Sequence, residues 1–231
     1  MKTIGLIGGT TWFSTIDYYR VINEGVQRRL GGHNSARLLL YSVNFLEFLP
    51  ADNTDWAGNG RKMGAIARHL QDAGADCLLL CANTMHMMAD TIKGQIDIPF
   101  IHIVDETAKV ILQTQLASVG LLGTRFTMQQ PFFRERLEEL GVKAVTPTPA
   151  DQEYLHRIIF EELNKGLFAA TTKMRVTGII HDLVDKGAQG IILGCTEFPQ
   201  LIKPEDSPVP LFDTVAIHAN AAVEFALMSG S

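Results

Sequence analysis

Along the 231 residues, short apolar runs alternate with longer stretches of helical periodicity. The runs at 3–7, 37–43, 77–82, 100–103, 118–122, 142–145, 190–193 and 209–212 are predicted strands. Most are continuously apolar rather than alternating, the pattern of strands buried on both faces of a parallel sheet. The stretches between them predict helices. In the first, Ser14 followed by Asp17 resembles a capping box, and Ile16, Tyr19, Ile22, Val26 and Leu30 make one apolar stripe that Gly31-Gly32 ends. Strand then helix, repeated, predicts the α/β class with right-handed crossovers and ligand sites beyond the C-terminal strand ends.

An internal repeat divides the chain. Gly5-Leu6-Ile7-Gly8 is echoed by Gly120-Leu121-Leu122-Gly123, and Gly74-Ala75-Asp76-Cys77-Leu78-Leu79-Leu80 by Gly187-Ala188-Gln189-Gly190-Ile191-Ile192-Leu193, at offsets of 115 and 113 residues. Two matches at nearly one offset predict two pseudosymmetric Rossmann-like lobes, 1–103 plus 211–231 and 104–210, each a parallel sheet flanked by helices. If they pack about a pseudo-twofold, equivalent strand ends face each other and the site is expected in the cleft between the lobes. Extending the second match sets Cys81-Ala82-Asn83-Thr84 opposite Gly194-Cys195-Thr196-Glu197, with Ala82 opposite Cys195. Both segments run from a strand end into a helix, where unpaired N–H groups favour an anion.

Composition narrows the chemistry. With 20 Lys+Arg against 25 Asp+Glu, a formal charge of −5 and no basic run, the chain lacks the concentrated positive charge that nucleic acid or an anionic membrane requires. No segment approaches a membrane span, so a soluble, cytoplasmic protein is expected. Three cysteines make no disulfide framework, and no C-x-x-C pair or H-x-x-x-H spacing among the seven histidines suggests a metal site. Gly8-Gly9-Thr10-Thr11 suits a phosphate or carboxylate cradle. It is not G-x-G-x-x-G, and the second strand ends in Tyr41-Ser42-Val43-Asn44 without the acidic residue that would hold a ribose, which argues against a dinucleotide.

Of the cysteines, Cys195 between a buried strand and a helix start is the expected functional thiol, in surroundings that lower a thiol pKa. Cys77 and Cys81 share one strand face about 13 Å apart, too far for one metal or a disulfide; Cys77 reads as core. His86 falls close to the strand end, and Met85, Met87 and Met88 read as core filling.

The segments GLIGGTTWFSTIDYYRVINEGV, LLLCANTMH, LLGTRFTM, IIFEELNKG and GIILGCTEFPQLI, in order from residue 4 to residue 202, resemble the aspartate/glutamate racemase superfamily, and its amino-acid racemase branch in particular. The resemblance implies an isomerase that needs neither pyridoxal phosphate nor metal, acts on a small amino acid, and forms a homo-oligomer. It also implies that two cysteines flank the substrate α-carbon, one removing the α-proton and the other returning a proton to the opposite face. Here the first of those positions is Ala82, and Cys81 stands one residue early, which in an extended strand turns the side chain to the other face. Three outcomes follow: Cys81 reaches the site because the backbone has left the strand; Cys195 works with a poor second acid, giving slow or enantiomer-biased racemisation; or the chemistry is a one-thiol decarboxylation or isomerisation. A small-carboxylate binding protein without catalysis is the non-enzyme alternative.

The motif positions assign the substrate carboxylate to Gly9, Thr10, Asn83, Thr84, Thr124 and Thr196, and Lys165 matches a basic position of the family. The loop at 46–56 carries no Lys or Arg, where the family often places basic residues for a distal carboxylate, so neutral or polar substrates gain ground over aspartate or glutamate. Arg61 and Lys62 lie further along, and Phe13 replaces a common glutamate.

Overall fold

The computed structural model describes residues 1–48 and 55–228. In chain order the elements are β1 (Thr3–Gly8), α1 (Trp12–Leu30), β2 (Arg37–Ser42), α2 (Trp56–Asp72), β3 (Cys77–Leu80), α3 (Ala89–Lys93), α4 (Ile103–Gln113), β4 (Ser118–Gly123), α5 (Arg125–Gln129), α6 (Pro131–Glu139), β5 (Lys143–Val145), α7 (Pro149–Glu161), α8 (Ala170–Asp185), β6 (Ile191–Gly194), α9 (Phe198–Leu201), β7 (Leu211–Asp213) and α10 (Thr214–Leu227). They form two compact units, Met1–Ile103 with Val215–Ser231, and Val104–Thr214. The second unit runs past residue 210 because β7 pairs with β6.

In the first unit a parallel sheet has the order β2-β1-β3, with Ile4 paired to Leu38 and Cys77, and Ile7 to Tyr41 and Leu80. Alternation then sorts the side chains. Ile4, Leu6, Cys77, Leu79 and Cys81 pack with Tyr18, Ile22 and Val26 of α1 and with Val215, Ala219, Ala222 and Val223 of α10. Ile7, Leu78 and Leu80 face Met63, Ala67 and Leu70 of α2 together with Met85, Met88 and Ile92. Burial on both faces explains the unbroken apolar runs of β1 and β3, whereas β2, at one edge of the sheet, has no buried residue.

The second unit repeats the arrangement with one strand more, in the order β5-β4-β6-β7. Its core joins Leu122, Ile191 and Leu193 to Leu155, Ile158 and Ile159 of α7 and to Val176, Ile179, Ile180 and Leu183 of α8. The repeated segments thus occupy equivalent places: β1 is flanked by β2 and β3 as β4 is by β5 and β6.

Three expectations are corrected. Residues 100–103 contribute a single bridge, Leu78 to Phe100, because Ile103 already opens α4. Thr11 rather than Ser14 precedes α1; it makes no side-chain cap, and its hydroxyl lies 2.6 Å from that of Ser14. The buried face of α1 is Ser14, Thr15, Tyr18, Ile22, Gly25 and Val26, leaving Ile16, Tyr19 and Leu30 exposed. Small residues allow the close approach: a Cβ on Gly25 would lie 3.0 Å from Val223 of α10. No helix among the described residues is long and apolar enough to cross a membrane.

Candidate active site

In the first unit β1 and β3 end side by side. Gly9, immediately after β1, adopts φ of +89°, and a Cβ there would sit 2.2 Å from the Val43 carbonyl oxygen, so only glycine lets the chain turn. Its N–H donates to Thr15 Oγ1 at 2.9 Å, which commits the amide that the sequence offered to a substrate carboxylate. Thr10 is 5% exposed, and its hydroxyl oxygen is buried with no hydrogen-bond partner.

β3 stops at Leu80, and a 3₁₀ turn runs over Thr84–Met88. Cys81 therefore lies beyond the strand, although its N–H still donates to the Ile7 carbonyl at 2.9 Å. Its side chain is buried on the α1/α10 face, and burial pushes the thiol pKa up. Burial acts the same way on Cys77, whose pKa is pushed up to about 12. Ala82 packs toward the opposite face, so the one-residue shift does turn these side chains apart. Asn83 and Thr84 follow at the entrance of the 3₁₀ turn.

A histidine network ties down this segment. His86 Nδ1 donates to the Ala82 carbonyl at 2.9 Å, and His86 Nε2 accepts from the Ile103 N–H at 3.3 Å. On α10, His218 Nε2 donates to the Ile101 carbonyl at 2.7 Å, so Nδ1 is the acceptor for the Tyr18 hydroxyl, also at 2.7 Å. His218 is fully buried; burial, reinforced by the neighbouring His86, lowers its pKa to about 3 and keeps the ring neutral. These histidines thus act as structural connectors, and no group of three His, Cys, Asp or Glu suited to a metal exists among the described residues.

In the second unit Gly123 pairs with Gly194, so Thr124 and Cys195 leave the sheet together. Thr124 caps α5, accepting from the Thr127 N–H at 3.2 Å. Cys195 is part-buried, and its thiol donates to Glu197 Oε2 at 2.8 Å. Glu197 is 3% exposed, and its other oxygen, Oε1, is buried without a partner. Burial foremost, then the Glu197 carboxylate, hold the thiol pKa well above the usual value, against the backbone N–H groups of Glu197 and Thr196 that favour the thiolate. The expected lowering is reversed because the carboxylate and desolvation outweigh two amides, and α9 opens only at Phe198 and is four residues long.

The structure thus sets Thr10, Asn83 and Thr84 at the strand ends of one unit and Thr124, Cys195 and Thr196 at those of the other. Lys165 stands apart on an exposed turn after α7, its N–H bonded to the Glu162 carbonyl. Most of the 46–56 loop, residues 49–54, lies outside the described residues; Arg61 and Lys62 are exposed on α2. Sequence reasoning missed Glu197, Thr15, Tyr18 and His218 as site or supporting residues. Glu197 had a signal, an acidic residue two positions after the strand-end cysteine; His218 is 200 residues from Tyr18 and had none.

Comparison with known proteins gives consistent results. The family model described as Asp/Glu/Hydantoin racemase matches residues 7–222. The broad specificity amino-acid racemase RacX of Bacillus subtilis (strain 168) is 25% identical over 232 residues, covering 95% of this chain and 96% of that protein. A crystal structure from Yersinia pestis, described as a candidate Asp/Glu racemase, superposes with a TM-score of 0.93 at 46% identity, over 99% of this chain and 100% of that one. An aspartate racemase homologue from Pyrococcus horikoshii OT3 gives a TM-score of 0.86 at 37% identity, over 98% and 99% of the two chains.

Proposed function

We propose, from the premise that the chain belongs to the Asp/Glu/Hydantoin racemase family, that it is an amino-acid racemase in which Cys195 is an acid–base thiol. The observation that carries the reading is the hydrogen-bonded Cys195 at the end of β6, beside the amides of Thr196 and Glu197. An α-proton of an amino acid is a very weak acid, so the site must lower the cost of the carbanion. Hydrogen-bond donors on the α-carboxylate do this by dispersing the charge that develops there. The donors assigned to it are Thr10, Asn83, Thr84, Thr124 and Thr196, and Lys165 is the remaining cationic candidate. Gly9 is withdrawn, because Thr15 already takes its N–H.

The thiolate of Cys195 removes the α-proton and the electron pair stays on the α-carbon, delocalised into the carboxylate. Racemisation is completed by a proton delivered to the other face, which requires a second acid. Cys81 is assigned that role because residue 82 is alanine and carries no acid; β3 ends at Leu80, and the assignment requires the Cys81 side chain to leave its packing on the α1/α10 face when substrate binds. Burial keeps the Cys81 thiol protonated, the form that a proton donor needs. The chemistry described uses only side chains of this protein.

The breadth of the B. subtilis relative supports a substrate range that includes neutral amino acids. The test is incubation of L- and D-amino acids, acidic and neutral, with the wild type and Cys195→Ala, followed by chiral chromatography. The wild type converts at least one amino acid from both enantiomers, and the variant converts none. Unchanged conversion by Cys195→Ala overturns the assignment, and release of carbon dioxide in place of the opposite enantiomer makes the protein a decarboxylase.

A further inference from the structure

His86 holds the backbone that carries two of the assigned carboxylate donors, Asn83 and Thr84. Its N–H donates to the Asn83 carbonyl at 3.0 Å, and its Nδ1–H donates to the Ala82 carbonyl at 2.9 Å. In a planar trans peptide the carbonyl and the following N–H are fixed together, so this one residue sets two successive peptide planes, 82–83 and 83–84. β3 stops at Leu80, so both planes lie beyond the strand.

The ring is itself fixed. It is 2% exposed and lies edge-on to Phe100, His102 and His218, at ring-centre distances of 5.7, 4.8 and 5.5 Å. Nε2 accepts from the Ile103 N–H at 3.3 Å, and an amide donor opposite that nitrogen leaves no place for a proton on it. The proton is therefore on Nδ1, aimed at Ala82. His218 has the reverse arrangement, with Nε2–H on the Ile101 carbonyl and Nδ1 accepting from Tyr18. Two neighbouring rings thus carry opposite tautomers, each set by its partners.

We propose that His86 is a positioning residue for racemisation: its Nδ1–H holds the Ala82–Asn83 peptide in the orientation at which Asn83 and Thr84 meet the substrate carboxylate. This rests on the racemase reading above. His86 acts through the backbone and does not touch the substrate. A displaced segment holds the carboxylate less tightly, so the loss shows in KM. A purely structural loss leaves less active enzyme, which lowers the apparent kcat at unchanged KM.

Three variants separate these roles, with kinetics by chiral chromatography. His86→Leu lacks the donor, and KM for an amino acid that the wild type converts rises at least about tenfold. His86→Asn keeps a donor near the Nδ1 position, as Asn220 reaches the Ala216 carbonyl four residues back at 2.7 Å, and its KM stays within about threefold of the wild type. Asn23→Ala loses bonds to the Tyr19 carbonyl and the Ala36 N–H, where β2 begins at the other end of the sheet; its melting temperature falls and its KM does not change. Unchanged KM in His86→Leu overturns the proposal, as does a KM in His86→Asn as high as in His86→Leu. Either result leaves the Cys195 assignment standing. A spectroscopic measurement does not depend on His86→Leu folding. In ¹⁵N NMR with labelled histidine, the signal lost in His86→Asn belongs to His86; it shows the Nδ1–H tautomer and shifts when the amino acid saturates the site. An Nε2–H tautomer, or no shift on saturation, overturns the proposal. If the wild type converts no amino acid, the racemase reading fails while the tautomer still shows whether His86 holds Ala82.

Discussion

Lowering the pH should weaken the first unit through His218, and the structure sets the size of the effect. The ring is fully buried, its Nε2–H is committed to the Ile101 carbonyl and its Nδ1 to the Tyr18 hydroxyl, and His86 lies with its ring centre 5.5 Å away. The native pKa is about 3, against about 6.5 in the unfolded chain. Between those values the unfolded chain binds a proton that the native ring refuses, so stability is full above pH 6.5 and declines as the pH falls toward 3. The loss is about 1.4 kcal/mol per pH unit below 6.5, or about 2 kcal/mol between pH 7 and pH 5. His218→Gln keeps a donor for Ile101 and does not titrate. It should be less stable than the wild type by about 1–3 kcal/mol at pH 7, from the lost Tyr18 bond and poorer packing. By pH 5 that gap should shrink by about 2 kcal/mol. Urea unfolding followed by tryptophan fluorescence is the assay, because Trp12 and Trp56, the protein's two tryptophans, both lie in this unit. Wild type and variant that lose stability in parallel between pH 7 and pH 5 would refute the reasoning.

Two further outcomes are expected. Cys81→Ala should lower racemisation by at least about tenfold, and Ala82→Cys in that background should not restore it, because β3 ends at Leu80 and the two side chains face opposite ways; chiral chromatography of the two variants checks this, and full recovery in the double variant would reinstate the position opposite Cys195 in the repeat. Gly9→Ala should destabilise the protein by about 1–3 kcal/mol or more, since φ is +89° and the new Cβ meets the Val43 carbonyl at 2.2 Å; a thermal melt indistinguishable from that of the wild type contradicts that.

The chain announces its architecture because β1, β3, β4 and β6 are buried on both faces and are also the repeated Gly-anchored segments that pair in the sheets. Position along such a strand also singles out Cys195, where the sheet runs out. Several features escaped. The packed face of α1 is chosen by how closely it can approach α10, so Ser14, Thr15 and Gly25 are buried while the more apolar Ile16 and Tyr19 are not. A strand over 100–103 fails because the four residues Phe100, Ile101, His102 and Ile103, at a crossover, are shared between a bridge and the first turn of α4. The pKa of Cys195 depends on where the carboxylate two residues on is aimed, which a sequence does not state. His218 is joined to Tyr18 and Ile101 by tertiary contacts alone, and a lone histidine in an apolar helix gives no sign of them.

The most direct test of the account is hydrogen exchange at the α-carbon in deuterium oxide, read by proton NMR on an amino acid that the wild type racemises. Cys195 as the thiol that takes the α-proton predicts loss of the α-proton signal with the wild type, and exchange slower by at least about a hundredfold with a folded Cys195→Ala variant. Exchange at the wild-type rate in that variant would contradict it.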